Sequence, residues 1–255
     1  MEGLFLTDRG QVRSHNEDSG GIYYNDYGQF LAVIADGMGG HRAGDVASQM
    51  ATSQLQEKWQ NSNQLFSPEE TEEWLHLVIS QINTSIYEHA QLHEECRGMG
   101  TTIEVAICMQ DFVTIGHIGD SRSYLLNEEG FKQIAEDHSL VNALVQSGQI
   151  SKDEAHDHPR RNVVLKALGT EESVVPDVKT ISVEKGNELL ICTDGLTDKV
   201  TDDELVEVIQ TKPEMNESGQ ALIDLANDRG GEDNISLIII QYGQQAPSPE
   251  AGDMS

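Results

Sequence analysis

Residues 30 to 48 read FLAVIADGMGGHRAGDVAS, and the rest of the chain can be interpreted around this stretch. The apolar run from Phe30 to Ala35 predicts a strand covered on both faces, and Asp36-Gly37 cuts it off, so Asp36 should lie at a sheet end. From Ala43 onward the apolar residues recur at helical spacing. The glycines in between, at positions 37, 39, 40 and 44, allow a tight loop whose backbone is open to a ligand.

Two other interpretations of this stretch remain open on its residues alone. A dinucleotide-binding turn of the form G-x-G-x-x-G would need glycine where Arg42 stands, and an acid inside the turn would repel a pyrophosphate. A plain glycine-rich turn with a solvated Asp36 needs no ligand at all. Acidic residues elsewhere in the chain bear on the choice.

Length and charge limit the classes of protein that this chain can belong to. A chain of 255 residues can bury one sizeable core, and we expect a single domain over residues 2–242 followed by a disordered tail over 243–255. The formal net charge of −28 and a pI near 4.4 argue against nucleic acid or an anionic membrane as the main partner. Both bind through clustered Lys and Arg side chains.

Cysteine usage and the N-terminal residues predict a cytoplasmic location. Cys96, Cys108 and Cys192 are odd in number, show no C-x-x-C spacing and lie in or near apolar runs, so we expect reduced core residues. The first ten residues, MEGLFLTDRG, lack the basic and apolar regions of a signal peptide. No apolar run approaches the ~18 residues that a membrane-spanning helix needs, which predicts no membrane insertion.

The pattern along the chain predicts strands interrupted by pairs of helices. An amphipathic helix is expected over Pro68 to His93. Three β-rich segments follow and are expected to be antiparallel neighbours: Thr101 to Met109, Phe112 to Ile118 and Ser123 to Leu126. Residues 137–169 then predict a helical insertion between strands, with a capping box at Ser151 to Glu154.

Four acids recur where an apolar strand begins or ends: Asp36, Asp120, Asp194 and Asp233. If these strands pair in one or two packed sheets, the carboxylates converge at one edge, and Asp18 from the first polar loop can join them. So many like charges at short range are unfavourable unless cations neutralise them. Carboxylate, carbonyl and water oxygens suit Mg²⁺ or Mn²⁺, whereas zinc would favour His or Cys.

Six motifs occur along the chain in this order: Arg13-x-x-Asn16-Glu17-Asp18, Ala35-Asp36-Gly37-Met38-Gly39-Gly40-His41, Gly98-Met99-Gly100-Thr101-Thr102, Gly119-Asp120-Ser121-Arg122, Thr193-Asp194-Gly195 and Asp233-Asn234. Together they resemble the signature of the metal-dependent (PPM, type 2C) Ser/Thr protein phosphatases, and most closely the PrpC-type enzymes of Gram-positive bacteria. The resemblance implies an α+β fold, a four-layer α-β-β-α sandwich in which helix pairs flank two packed antiparallel sheets, with a helical flap insertion. It also implies phosphoproteins as partners, including a PASTA-type Ser/Thr kinase whose action the enzyme opposes.

The resemblance also implies roles for individual residues. Asp36 would bridge two Mn²⁺ or Mg²⁺ ions, Gly37 would contribute its carbonyl, and Asp194 and Asp233 would complete one ion's ligands. Asp18 would act on the other ion, and Asp120 would help Asp194 to hold a third, weaker one. The nucleophile would be metal-bound hydroxide. A structural role for Asp120, pairing Arg122 or accepting backbone amides, stays open.

The remaining candidate residues are basic. Arg13 supplies a planar, two-pronged donor for phosphate oxygens. By resemblance His41 is the general acid that protonates the leaving Ser or Thr alkoxide. His158-Pro159-Arg160-Arg161, with Lys166, forms a basic island in an acidic chain, and Arg160 and Arg161 are candidates to bind phosphopeptides. The alternative for the island is a solvated turn.

Two other classes of function remain to be separated from a phosphatase. A non-catalytic phosphoprotein-binding regulator could keep the same fold, although every expected metal ligand and Arg13 are present. An acidic Ca²⁺-binding protein would need a loop such as the EF-hand, and none occurs in the sequence. The chain is expected to be a monomer. His117, within a strand, is expected to be structural, and the resemblance gives no role for His138.

Overall fold

Two antiparallel sheets form the centre of the computed structural model, which describes residues 1–40, 43–212 and 214–243. The strands in chain order are β1 (Glu2–Asp8), β2 (Asp18–Tyr24), β3 (Phe30–Met38), β4 (Gly100–Thr101), β5 (Ile103–Cys108), β6 (Phe112–Ile118), β7 (Arg122–Asn127), β8 (Gly130–Gln133), β9 (Asp177–Ser182), β10 (Glu188–Cys192) and β11 (Ile235–Gln241). The α-helices are α1 (Ala43–Gln60), α2 (Pro68–Leu92), α3 (Leu140–Gln146), α4 (Lys152–His156), α5 (Asp194–Thr197), α6 (Asp202–Thr211) and α7 (Met215–Asp228).

The two sheets divide the strands between them. Within the described residues, one sheet has the order β1-β11-β10-β7-β8. The other has the order β2-β3-β5-β6-β9, and β4 adds a short pairing to the end of β3. Helices α1 and α2 pack on the outer face of the second sheet, and α5, α6 and α7 pack on the outer face of the first. This confirms the predicted four-layer arrangement.

Successive side chains of the central strands point to opposite faces of the sheet, and both faces are covered, which explains why these sequences are apolar without a break. On β3, Leu31 and Val33 face helices α1 and α2, whereas Ala32 and Ile34 face the opposite sheet. On β11, successive residues likewise divide between the inter-sheet core and the core under α6 and α7. Because successive side chains point to opposite faces of a strand, a strand covered on both faces needs apolar residues throughout.

Strand β3 is longer than predicted. The sequence indicated a strand that stops at Ala35, but β3 runs on to Met38. The physical reason is β4, which pairs Gly37 with Thr101 and Met38 with Gly100. The pairing between β3 and β2 nevertheless ends at Asp36 and Asp18, so Asp36 is the last residue of β3 that pairs with β2.

The prediction that three consecutive β-rich segments are antiparallel neighbours is half wrong. β5 and β6 pair as expected, but β7 belongs to the other sheet, between β10 and β8. The chain changes sheets in the turn that starts at Gly119, whose φ is +116°. A Cβ there would lie 2.5 Å from the Thr102 side chain, so only glycine fits this crossing.

The helical insertion between β8 and β9 is present. Helix α3 begins after Ser139, whose hydroxyl accepts from the Asn142 amide, and α4 begins with the predicted capping box of Ser151 and Glu154. Backbone bridges from Ser139 to Val164 and from Thr101 to Leu168 tie the insertion back to the sandwich. We call residues 137–169 the flap. The predicted disordered tail lies outside the described residues from position 244 onward.

Helix α2 begins and ends close to its predicted bounds. The Ser67 hydroxyl accepts from the Glu70 amide, and the Glu70 carboxylate accepts from the Ser67 amide. Pro68 occupies the first turn, where a missing N–H costs nothing. None of the helices in the described residues is both long enough and apolar enough to cross a membrane.

Candidate metal centre

Five carboxylates meet at one end of the sandwich. Asp18 opens β2 and lies directly opposite Asp36 on β3. Asp194 follows β10 and begins α5, Asp233 precedes β11, and Asp120 follows β6 in the turn that changes sheets. The structure therefore brings together the acids that the sequence placed at strand ends. The consequence is visible at Asp36, whose pKa is raised well above its usual range by burial and by the charges of the other four.

Two threonines fix the backbone of Asp36. Its carbonyl accepts from the Thr101 hydroxyl at 2.8 Å and from the Thr102 amide at 2.9 Å, and its own amide donates to the Thr102 hydroxyl at 2.9 Å. Both threonines are fully buried. The Thr-Thr pair of the third motif thus holds the residue on which the site centres.

Asp18 is held by one of its two carboxylate oxygens. Its Oδ2 accepts from the Ser236 hydroxyl at 2.6 Å and from the Thr193 hydroxyl at 3.0 Å, whereas its Oδ1 is buried and has no hydrogen-bond partner. Burial raises the pKa of Asp18 to about 7, with the two hydroxyls and Arg13 opposing the rise and Asp233 adding to it. A buried oxygen without a partner is costly, which marks the position as one where a ligand belongs.

Asp194 has the same kind of orphaned oxygen. Its Oδ1 is buried and has no partner, and its pKa lies well above the usual range because of burial and the neighbouring acids, Asp120 first among them. The glycine that follows allows close packing: a Cβ on Gly195 would lie 1.9 Å from the carbonyl oxygen of Asn234. The Asp-Gly pair therefore brings the end of β10 against the start of β11.

Asp233 differs from Asp18 and Asp194 because both of its oxygens have partners. Its Oδ2 lies 2.7 Å from Arg13 Nη2, and its Oδ1 accepts from the Asn234 amide. Arg13 also lies 3.6 Å from Glu17 Oε2, and its side chain is 44% exposed. Arg13 is thus at the rim of the carboxylate group, with its guanidinium paired to two acids and open to solvent.

Asn234 organises the loop that carries Arg13, a role that the sequence did not indicate. Its Oδ1 accepts from the Glu17 amide at 2.8 Å, and its Nδ2 donates to the carbonyls of Arg9 and His15 at 2.9 and 3.1 Å. The only signal in the sequence was its position next to Asp233, because these contacts join residues more than 200 positions apart.

Asp120 is 8% exposed, and burial followed by the charge of Asp137 raises its pKa to about 6. A purely structural role would pair Asp120 with Arg122, but Arg122 is hydrogen-bonded to Asp137 instead. Arg122 Nη2 donates to Asp137 at 2.7 Å, and its Nε lies 3.0 Å from both carboxylate oxygens of Asp137. The carboxylate of Asp120 is instead close enough to Asp194 to raise its pKa.

His138, whose role the resemblance leaves open, supports the Asp120 turn. Its Nδ1 accepts from the Gly119 amide at 3.2 Å, its own amide donates to the Gly119 carbonyl at 2.7 Å, and its carbonyl accepts from the Leu165 amide of the flap. The ring lies against that of His117, with 4.6 Å between centroids. His117 is buried and joined to Glu104 at 2.5 Å, as expected of a structural histidine.

The flap borders the carboxylates across a cavity of about 620 Å³. Asp120 and Asp194 line it on one side, and Arg161 lines it from the flap. Arg161 Nε lies 3.7 Å from Asp198, an acid that the sequence analysis missed and whose charge helps to raise the pKa values of Asp120 and Asp194. Arg160 does not line this cavity and is exposed.

Two glycines let helix α1 approach the end of β3. A Cβ on Gly37 would lie 2.1 Å from the carbonyl oxygen of Gly44, and a Cβ on Gly44 would lie 2.7 Å from the carbonyl oxygen of Gly37. This contact brings the first turn of α1 against the backbone of Gly37, the residue after Asp36, without an intervening side chain. His41, the predicted general acid, lies between these glycines in the sequence and outside the described residues.

The residues fit divalent cations that prefer oxygen ligands. The orphaned oxygens of Asp18 and Asp194, next to the crowded charge of Asp36, are what a cation would satisfy. In the described part of the chain, no three or more His, Cys, Asp or Glu side chains form a ready-made ligand cluster. Ions here would therefore also draw on backbone carbonyl and water oxygens, which is typical of Mg²⁺ and other hard cations.

Known proteins are similar to this chain in sequence and in fold. The family described as Protein phosphatase 2C matches residues 8–236. The chain is 44% identical over 241 residues to the serine/threonine phosphatase stp of Listeria monocytogenes, which covers 94% of this chain and 96% of that one. It is 36% identical to the protein phosphatase PhpP of Streptococcus pneumoniae, over 96% of this chain and 99% of that one.

Solved structures agree as well. The serine/threonine phosphatase Stp1 of Staphylococcus aureus superposes with a TM-score of 0.90 at 41% identity, covering 93% of each chain. The catalytic domain of the phosphatase PstP, in complex with two manganese ions, superposes with a TM-score of 0.81 at 34% identity, over 93% of this chain and 96% of that one. The chain belongs to the protein phosphatase 2C family. It is a metal-dependent enzyme of the protein-serine/threonine phosphatase class, with relatives in Gram-positive bacteria.

Proposed function

We propose that this chain removes phosphate from phosphoserine and phosphothreonine in proteins, using Mn²⁺ or Mg²⁺ held at the carboxylate end of the sandwich. The observation that carries the proposal is the pair of buried, unpartnered oxygens, Asp18 Oδ1 and Asp194 Oδ1, beside the charge-crowded Asp36. A non-catalytic regulator would have no use for so costly an arrangement, whereas a bound cation would neutralise the ionised carboxylates and occupy the unpartnered oxygens.

The metal-holding residues are those that the sequence indicated. Asp36 would serve both tightly bound ions and Gly37 would contribute its carbonyl, with Asp194 and Asp233 completing the ligands of one ion and Asp18 acting on the other. Asp120 and Asp194 would hold a third, weaker ion. When bound, divalent cations of this kind activate a water molecule and neutralise charge on the phosphoryl group. The protein's part is to keep these carboxylates together in the absence of any ion.

Arg13 binds the substrate phosphate. Its guanidinium stands at the rim between Asp233 and Glu17, exposed enough to turn one edge toward an arriving phosphate. Arginine suits this task because its planar fork donates two parallel hydrogen bonds to phosphate oxygens. With the charge of Asp233 offset by a bound cation, the pairing that holds Arg13 would weaken and the guanidinium would become available to the phosphate.

His41 supplies a proton to the leaving serine or threonine oxygen. An alkoxide is too basic to leave without one, and an imidazole can donate it near neutral pH. What supports this role is the match of the stretch from Ala35 to His41 with the second motif of the family.

The flap contributes to binding of the peptide around the phosphate. Arg161 lines the cavity that Asp120 and Asp194 also line, so a phosphopeptide that reaches the carboxylates passes this side chain. Arg160 is adjacent and exposed, where it can attract the negative charge of a phosphopeptide. The two arginines are therefore assigned to substrate binding and not to the chemical step.

The partners follow from the same class of reaction. Phosphoproteins are the substrates, and a PASTA-type Ser/Thr kinase whose products the enzyme reverses is the expected counterpart. The three cysteines are buried and unpaired, which is compatible with the reducing cytoplasm, where we place the protein. We expect a monomer, a point that light scattering on the purified chain would test.

The experiment is a metal titration of activity on two substrates. The purified chain, stripped with EDTA, should be inactive on a phosphothreonine peptide and on p-nitrophenyl phosphate, and Mn²⁺ or Mg²⁺ should restore both activities. The titration should show a steep phase and a later, weaker one, because the third ion has fewer protein ligands. A metal-free chain that keeps its full activity, or a metal-loaded chain that binds phosphopeptide without turnover, would contradict the proposal.

A further inference from the structure

Two buried hydroxyls join the end of β10 to the start of the neighbouring strand β11, beside the carboxylates. Thr193 follows β10 and Ser236 lies on β11, and both are 0% exposed. Their backbones and side chains are linked: the Thr193 amide donates to the Ser236 carbonyl at 3.0 Å, and the Ser236 amide donates to the Thr193 hydroxyl at 3.0 Å. Both hydroxyls then lie against the same oxygen of Asp18.

The direction of each hydrogen bond can be worked out by counting protons. Both hydroxyls donate to Asp18 Oδ2, so the one proton of each hydroxyl is used in that bond. The Ser236 hydroxyl has then no proton left for Thr7, which lies 2.8 Å away, so Thr7 is the donor of that bond. Thr7 in turn accepts from the side-chain amide of Asn16 at 2.8 Å.

The chain of hydrogen bonds closes on itself. Asn16 Oδ1 accepts from the backbone amide of Asp18 at 3.1 Å, which fixes the orientation of the Asn16 amide and leaves its Nδ2 to donate to Thr7. The relay Asn16, Thr7, Ser236, Asp18 therefore runs in one direction and begins and ends at the same loop. Such a closed network strengthens each of its members and holds the carboxylate in one orientation.

From this geometry we infer that Thr193 and Ser236 are positioning residues that set the carboxylate of Asp18 for a cation before any cation binds. They occupy Oδ2 with two donors and so leave Oδ1 buried and without a partner, on a residue that lies directly opposite Asp36 in the sheet. Neither residue touches substrate in this assignment. The inference rests on the proposed metal role of Asp18 and adds the reason why only one of its oxygens is available.

The test is Mn²⁺ binding to the EDTA-stripped full chain, measured by isothermal titration calorimetry. Thr193→Val removes the hydroxyl and keeps the shape, whereas Thr193→Ser keeps the hydroxyl. Removing a group that orients a metal ligand lowers metal affinity by about 10- to 100-fold. We expect a loss in that range for Thr193→Val and for Ser236→Ala, and an affinity close to that of the wild type for Thr193→Ser.

A matched control is available on a neighbouring strand. Ser123 on β7 is also 0% exposed, and its hydroxyl has no hydrogen-bond partner. Ser123→Ala should leave the Mn²⁺ affinity unchanged. If both hydroxyl-removing variants fail to fold, Thr7→Val on the exposed side of edge strand β1 breaks the same relay one bond earlier, and it should weaken Mn²⁺ binding by a smaller factor.

Wild-type Mn²⁺ affinity in folded Thr193→Val and Ser236→Ala would overturn the inference, as would an equal loss in Thr193→Val and Thr193→Ser. Wild-type affinity in Thr7→Val, tested where the other two do not fold, would overturn it as well. Asp18→Ala separates this failure from that of the proposed function. If Asp18→Ala binds Mn²⁺ as the wild type does, the metal role of Asp18 is wrong. If Asp18→Ala weakens binding and the hydroxyl variants do not, only the positioning role is wrong.

Discussion

Asp36 is a buried carboxylate with four like-charged neighbours, and its replacement should separate activity from stability. Asp36→Ala should abolish Mn²⁺-dependent turnover, because the ligand common to both ions is gone, and yet leave a folded protein. The EDTA-stripped variant should even melt at a higher temperature than the stripped wild type, because one source of carboxylate repulsion is removed. The measurements are kcat on a phosphopeptide and a thermal melt. Substantial Mn²⁺-dependent activity would remove Asp36 from the bridging role.

His41 can be tested through the leaving group. His41→Ala should lower turnover of phosphoserine peptides far more than that of p-nitrophenyl phosphate, because a phenolate leaves without a proton and a serine alkoxide does not. The quantity to compare is the ratio of kcat/KM for the two substrates in the variant and in the wild type. Equal losses on both substrates would refute the general-acid role.

Asp120 should affect the weaker metal and leave the tighter two in place. Asp120→Ala should lower kcat and raise the Mn²⁺ concentration needed for full activity, because Asp194 alone would then hold the third ion. A calorimetric titration should still show two tight sites. A normal kcat together with an unaltered Mn²⁺ titration would return Asp120 to a structural role.

The sequence predicted the acids of this site better than the residues that hold them in place. Each acid stands next to an apolar strand, and this pattern is visible in the local amino-acid sequence. Thr193 and Asn234 stand in the same motifs as Asp194 and Asp233, but their contacts could not be predicted because they join segments that are far apart in the chain. The contact of Asp198 could not be predicted either, because it crosses the cavity to the flap. Only the packed fold shows that the Thr193 hydroxyl meets Asp18, 175 positions away.

At the scale of elements, the flap arginines should act on substrate binding. Replacing Arg160 and Arg161 together by Ala should raise KM for phosphopeptides with little effect on p-nitrophenyl phosphate, which is too small to reach the flap. Of the single variants, Arg161→Ala should have the larger effect because Arg161 lines the cavity.

Lys185→Ala is the control for this experiment. It removes one exposed positive charge in the turn between β9 and β10, at the opposite end of β10 from Asp194. Its KM for the phosphopeptide should match that of the wild type. Unchanged peptide kinetics in the double arginine variant, or an equal rise of KM in Lys185→Ala, would leave the flap arginines as part of a solvated turn.

The elements themselves were largely predictable, whereas their pairing was not. Continuous apolar runs predicted strands buried on both faces, and β3 and β11 have that burial because helices cover one face and a sheet the other. Periodicity carries no information about which sheet a strand joins. The move of β7 into the other sheet depends on the turn at Gly119, and the extra residues of β3 depend on a partner strand more than 60 positions later.

At the scale of the whole molecule, the metal-free protein should lose stability as the pH rises. The folded-state pKa values of Asp18 and Asp120 are raised to about 7 and about 6, so their protonated forms are favoured in the folded chain. A raised carboxyl pKa contributes stability below the unfolded pKa of about 3.9, and that contribution is lost as pH climbs through the folded pKa. The EDTA-stripped chain should therefore melt at a lower temperature at about pH 8 than at about pH 5.5.

Mn²⁺ should reverse this trend, because it binds the ionised carboxylates and raises the melting temperature most at the higher pH. Asp18→Asn should flatten the pH dependence of the stripped chain. That variant distinguishes the effect of titrating the site from the effect of general surface repulsion. In a chain of net charge −28, such repulsion would also lower the stability as the pH rises. A melting temperature of the stripped wild type that rises between about pH 5.5 and about pH 8 would contradict the pKa values assigned to the site.

The central claim is that the carboxylate end of the sandwich holds divalent cations, and an anomalous-scattering map at the manganese edge tests it most directly. Crystals grown with Mn²⁺ should show two strong peaks bounded by Asp36, Asp194 and Asp233, and a weaker third beside Asp120. Crystals with Mn²⁺ in the solvent but no peak among these residues, or with peaks only elsewhere on the molecule, would contradict it.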